Sequence, residues 1–148
     1  MASLLSPRDW SNRILAQHWA GRTLPVVAAD VAVRMGVTVS HGTSEGWDPD
    51  QRRITVDTSQ SWGRQQYVVA RALGEWVLNQ PQGFVPTGQR NDGTPADAFV
   101  RELLLPAGSM KLLVIDHGLT SIEAIAQPFG MGERMALQRL QELGYVRK

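Results

Sequence analysis

Between residues 62 and about 80, the apolar residues Tyr67, Val69, Ala70, Leu73, Val77 and Leu78 recur at helical spacing, and Asn79-Gln80-Pro81-Gln82-Gly83 stops the run. A long helix in mid-chain constrains everything else. In 148 residues there is room for one ordinary domain, so the remaining elements must pack around that helix. Hydrophobic residues make up 43% and charged residues 20%, the balance of a folded chain rather than a disordered one.

The flanking segments predict short helices and strands. Ser6 before Pro7 is a helix start, followed by Trp10, Ile14, Leu15 and Trp19 at helical spacing, with Gly21 as the stop. Pro25 opens a second helix carrying Val27, Val31 and Met35, closed by Gly36. Val37-Thr38-Val39 and Arg53-Ile54-Thr55-Val56-Asp57 are β-branched, and Gly46-Trp47-Asp48-Pro49-Asp50 between them has turn chemistry, which predicts a small antiparallel sheet. The Gly, Pro, Asn and Gln content of residues 81–94 predicts an exposed loop. Helices are expected over 95–105, ended by Pro106, and over 107–116, ended by Gly118. Thr120 or Ser121 caps the next, with Glu123 placed for a capping box. Two short helices around Pro128-Phe129-Gly130-Met131-Gly132 close the chain with helix-turn-helix geometry.

Charge and cysteine content exclude some functions. Fifteen Lys plus Arg against fourteen Asp plus Glu leave a net charge of +1, so there is no global basic field for nucleic acid or an anionic membrane. Lys occurs only at Lys111 and Lys148. The other bases are arginine, better suited to planar, bidentate contacts. The absence of cysteine removes disulfides, thiolate zinc sites and thiol nucleophiles. With no apolar signal core at the N-terminus and no run long enough to span a bilayer, the expected location is cytoplasmic, without a membrane partner.

Two runs carry a family resemblance: Tyr67-Val68-Val69-Ala70-Arg71-Ala72-Leu73-Gly74-Glu75-Trp76-Val77-Leu78 and Ala96-Asp97-Ala98-Phe99-Val100-Arg101-Glu102-Leu103-Leu104-Leu105-Pro106. In this order, and with the layout of the preceding helices and strands, they resemble the ImmA/IrrE zinc metallopeptidases, which cleave helix-turn-helix repressors. The resemblance implies an α+β fold, mainly helical, with a small antiparallel sheet packed on a central zincin-like helix. It also implies a peptidase-like domain over residues 1–112 and a helix-turn-helix-like extension over 113–148 packed on it.

Family chemistry needs two His one helical turn apart, a Glu after the first to activate the metal-bound water, and an acidic ligand from the next helix. Here the first His position is Arg71, the general-base position is Ala72 and the second His position is Glu75. The third ligand falls on Gly93 or Pro95, neither of which binds metal. The expectation is therefore a pseudoenzyme with no catalytic residue, metal or cofactor. His18, His41 and His117 lie in no ligand pattern, and Glu75 with Asp92 or Asp97 offers at most a weak cation site. Arg71 either fills the former metal position and pairs with Glu75, or forms a plain surface pair with it.

Three functional readings compete. The first is protein binding in the control of transcription or of a phage or mobile element. The partner is a helix-turn-helix repressor or another regulator, contacted by residues 80–94 or the edge of the sheet. The plainer reading of that loop is a connector. The second is DNA binding through Arg134, Gln138, Gln141, Arg147 and Lys148, against which stand Glu133, Glu142 and a helix explained by core packing. The third is enzyme activity, either a zinc endopeptidase cleaving a repressor or another chemistry. It lacks a phosphate loop, a Ser-His-Asp set or paired carboxylates. Trp47 and Trp62 are candidates for a sticky surface, while Trp10, Trp19 and Trp76 read as core.

Overall fold

The computed structural model describes residues 5–21, 23–78 and 95–147. They form a mixed fold of helices and one three-stranded sheet. The elements are α1 (Pro7–His18), α2 (Ala28–Arg34), β1 (Thr38–Gly42), β2 (Gly46–Asp48), β3 (Arg53–Asp57), α3 (Trp62–Val77), α4 (Pro95–Leu104), α5 (Ala107–Lys111), α6 (Ile122–Ala126) and α7 (Glu133–Glu142). A π-helical turn (Leu112–Asp116) continues α5, and a 3₁₀ turn (Gln127–Phe129) follows α6. No described helix is long and apolar enough to cross a membrane.

The fold is organised around α3. Ser61 starts it, its hydroxyl accepting from the Arg64 backbone N–H at 3.1 Å. From Val68 to Glu75 every residue is buried, so this helix is enclosed on all sides rather than along one stripe. It packs on α4, α2 and β3. The closest approach is at Gly74, where a Cβ would lie 2.9 Å from Cδ1 of Phe99 on α4 and 3.4 Å from the Ala96 carbonyl. Phe99 is fully buried and has little room to give way. Gly74→Ala is therefore expected to destabilise the protein by about 1–3 kcal/mol, the usual cost of overpacking, although alanine is the better helix former. A thermal melt reads this as a lower midpoint; an unchanged or raised midpoint would contradict the close packing of the two helices.

Other contacts fix α3 to its surroundings. The Gln66 side chain, 5% exposed, accepts from the Ala29 N–H at 3.1 Å and caps α2, whose own N-cap Val27 has no polar side chain. Arg64 forks onto Glu45 at 2.8 and 2.9 Å, tying the β1–β2 connection to α3. Trp47 on β2 meets Trp76 edge-on at 6.2 Å, and Arg52 lies over the Trp76 ring at 5.6 Å.

The sheet corrects the antiparallel expectation. Its order is β1-β3-β2, with β1 parallel to β3 and β2 antiparallel to β3. Gly46–Asp48, expected as part of a turn, is a strand, and the turn proper follows it. There the Asp48 carboxylate accepts from the Asp50 and Gln51 N–H groups at 3.1 and 3.3 Å. This short hairpin lets β3 insert between β1 and β2. Among the described strands, β3 alone has buried residues, Ile54 and Val56, which suits the central position.

Smaller differences concern helix ends. α2 begins at Ala28, not at Pro25, which follows a cis peptide bond after Leu24. Gly36 and Gly118, which close the expected helices, have positive φ, +86° and +65°. The helix expected over 107–116 changes from α to π geometry at Leu112. Ser121 caps α6 through the Ala124 N–H at 3.0 Å, so Glu123 falls one residue short of the capping-box position. Residues on both sides of the 112/113 boundary, from Ile14 to Leu140, belong to one hydrophobic cluster.

Candidate functional site

Tyr67, Arg71 and Glu75 occur at four-residue intervals, so α3 stacks them along one stripe. Across from that stripe is Asp97, in the first turn of α4, where the helix dipole also favours a carboxylate. The stripe and Asp97 form a buried polar cluster inside an apolar interface.

Arg71 is its centre. It is 4% exposed, so the plain surface pair is not the arrangement adopted: α3 is enclosed at this level and no face of it reaches solvent. The Arg71 Nη1 group donates to the Asp97 carboxylate, which is fully buried and also accepts from the Tyr67 hydroxyl at 3.3 Å. Glu75, 3% exposed, is nearer the edge of hydrogen-bonding reach. Its Oε1 is 3.7 Å from Arg71 Nε, too long for a hydrogen bond. Arg71 Nε and Glu75 Oε2 have no hydrogen-bond partner. The cross-helix pair with Asp97 is thus the primary contact, and the pair with Glu75 is secondary.

The electrostatics follow from this geometry. Burial pushes the Glu75 carboxyl up to about 7, and the positive charge of Arg71 opposes that rise only in part. Burial, then the negative charge of Asp97, raises the Tyr67 phenol, with Arg71 and Arg64 pulling the other way. Tyr67 and Asp97 thus act as hydrogen-bonding groups around a fixed cation.

These residues do not suit a zinc ion. A guanidinium stands at the centre of the cluster, the neighbouring Ala72 has no proton acceptor, and one poorly paired carboxylate is not a zinc site. Pro95 begins α4 with no ligating atom on its side chain, while Gly93, Asp92 and the rest of the 80–94 loop lie outside the described residues. His41 and His117 are exposed and His18 is half-buried. No group of three or more metal-ligating side chains occurs among the described residues.

A second ionic cluster joins α4 to α7. Arg139, 3% exposed, donates to Glu102 on α4, to Glu142 one turn along α7, and to the Leu105 carbonyl at 2.9 Å. Arg8 on α1 reaches Glu102 at 3.2 Å, and Arg101 pairs with Glu142 at 2.7 Å. Burial raises the Glu142 carboxyl, but Arg101 and Arg139 together outweigh it and hold the group below its usual value.

Four of the five positions proposed for nucleic-acid contact are among the described residues. Arg134, Gln138 and Arg147 are exposed. Gln141 is half-buried, with its amide near the Arg147 carbonyl at 3.4 Å, and Lys148 lies outside the described residues. Gly130 has φ +67° in the turn between α6 and α7, and Trp62 packs directly on it. Trp62 remains 39% exposed, while Trp10, Trp19, Trp47 and Trp76 are partly buried against the core.

Asp97, Glu102 and Arg139 were not expected as paired residues, although the sequence places each on an apolar helix face: Asp97 with Val100 and Leu104, Arg139 with Ala136 and Leu143. A charge at such a position is a sign of a buried partner. In comparison with known proteins, the sequence matches no family model and no curated protein.

Proposed function

We propose that this chain is a catalytically inactive, metallopeptidase-like regulatory protein that acts by capturing another protein, with a helix-turn-helix regulator of transcription or of a mobile element as the partner class. The observation that supports this reading best is Arg71, buried between α3 and α4 and held by Asp97. A permanent cation belonging to the chain stands where the resemblance puts the metal, and it cannot activate water as a metal does. The frame around it, from Gly74 against Phe99 to the enclosed α3, is closely packed. Candidate contact surfaces are the edge strands β1 and β2. Cytoplasmic location belongs to the same proposal.

The test is affinity capture from the native cell, followed by reconstitution from purified components. The expected outcome is an intact regulator that re-forms a stoichiometric complex. Recovery of the partner as fragments whose production requires zinc would overturn the reading in favour of an active endopeptidase.

DNA binding through α7 is the second reading, favoured by one observation. Arg134 and Gln138, one turn apart, face solvent while Ala136, Arg139 and Leu140 face inward. A gel shift with the chain's own upstream DNA, abolished by the double change R134A/Q138A, would put this reading first.

A further inference from the structure

We infer that Glu75 is a proton-operated partner of the Arg71–Asp97 pair: protonated, it leaves the guanidinium to clamp α3 onto α4; ionised, it competes for that guanidinium and loosens the clamp.

In the buried cluster formed by the described residues, one guanidinium meets two carboxylates. Asp97 takes the direct bond and a second from Tyr67, which leaves Glu75 as the surplus anion. Its Oε2 is buried without a partner, and so is Arg71 Nε. An ionised carboxylate in that position keeps one oxygen from both solvent and hydrogen bonds, whereas a protonated one removes the net charge.

Among the described residues, the charged and titratable groups around Glu75 are few. Arg71 and Tyr67 share the helix with Glu75, and Asp97 faces it from α4. The buried residues of the other elements against α3 are apolar: Ala28, Val31 and Ala32 on α2, Ile54 and Val56 on β3. Arg52, from the β2–β3 turn, lies over the neighbouring Trp76. The carboxyl's value of about 7 places the change within the physiological range.

Geometry supplies the route. Glu75 is one helical turn from Arg71 on the same helix, already 3.7 Å from Nε. A small rotation of the guanidinium exchanges a bond between helices for one within α3. The α3–α4 interface, which also carries the Gly74–Phe99 contact, loses its charged crosslink and keeps the Tyr67–Asp97 hydrogen bond.

The sign is fixed by the direction of the shift. Because the folded-state value lies above the ordinary 4.5, the folded protein binds the proton more tightly than the unfolded chain. Its stabilising effect is complete below the ordinary value and is lost as pH rises through about 7.

Three measurements on the whole protein test this. A carbon-13 NMR titration of the wild-type glutamate carboxyls, with Glu75→Gln identifying the resonance, is expected to show Glu75 titrating near neutrality. Melting temperature from pH 6 to 8.5 is expected to fall several degrees further in wild type than in E75Q; any contribution from the three histidines is common to both and cancels. Exchange of α4 amides, corrected for the intrinsic effect of pH, is expected to accelerate above pH 7 in wild type alone. A Glu75 resonance titrating in the ordinary carboxylate range would overturn the inference, and the wild-type titration decides this even if E75Q folds poorly. Equal pH dependence of melting or of α4 exchange in the two proteins would overturn it as well.

Discussion

Replacing Arg71 with methionine is expected to lower the melting temperature by roughly 10–15 °C, the largest effect of any single substitution at the α3–α4 interface. The reason is asymmetric. The lost side chain is compensated in volume, but Asp97, fully buried, loses the guanidinium that bonds to it, and Glu75, 3% exposed, loses the charge that opposes its protonation. Removing one partner of a buried pair costs about 3–5 kcal/mol, and in a domain of this size each kcal/mol moves the midpoint by about 2–4 °C. The double variant R71M/D97N removes both halves of the primary pair and is expected to recover a substantial part of the loss. Differential scanning calorimetry of the three proteins checks both statements. A midpoint for R71M within a degree of wild type would mean that Arg71 is not inside.

Arg139→Leu is expected to have the second-largest effect, about 2–4 kcal/mol. Among the described residues, Arg139 alone binds Glu102, Glu142 and the Leu105 carbonyl together. The loss is partly limited because Glu102 keeps Arg8 at 3.2 Å and the Ala107 N–H at 3.2 Å. Its location distinguishes it from the first. Hydrogen exchange should rise in α7 before it rises in α3, since α7 loses its buried attachment to α4 and keeps the more exposed Arg101–Glu142 pair. Exchange that rises uniformly along the chain, or a cost near the ~0.5 kcal/mol of an ordinary surface change, would contradict the role given to this cluster. Glu142, held below its usual value, adds an acid-side dependence: its contribution is present above its ordinary value and lost as pH falls through the folded one.

The helices were largely legible in the sequence because their signals are local. Ser6 before Pro7, Ser61, Ser121 and the left-handed Gly36 and Gly118 each mark an end through contacts spanning only a few residues. The sheet was not, because strand order depends on contacts between distant residues. Gly46-Trp47-Asp48 looks like a turn in isolation and becomes a strand when Trp47 finds Trp76 and β3 lies between β1 and β2. The candidate site was half legible. The four-residue spacing of Arg71 and Glu75 placed them side by side, but Asp97 is 26 positions away along the chain, and no local pattern couples it to Arg71. The clue was indirect: an aspartate on the apolar face of α4 needs a buried partner, and arginine is the cation that tolerates burial. The same reasoning would have joined Arg139 to Glu102.

The central proposal, that a side-chain cation has replaced the metal chemistry of the α3–α4 interface, is tested most directly by the zinc content of the full chain after exposure to excess zinc and removal of unbound ion. The expected result is no retained zinc, in wild type and in Glu75→Gln alike, because Arg71 already holds the position and no imidazole is available. Near-stoichiometric zinc in wild type that disappears in E75Q would contradict it.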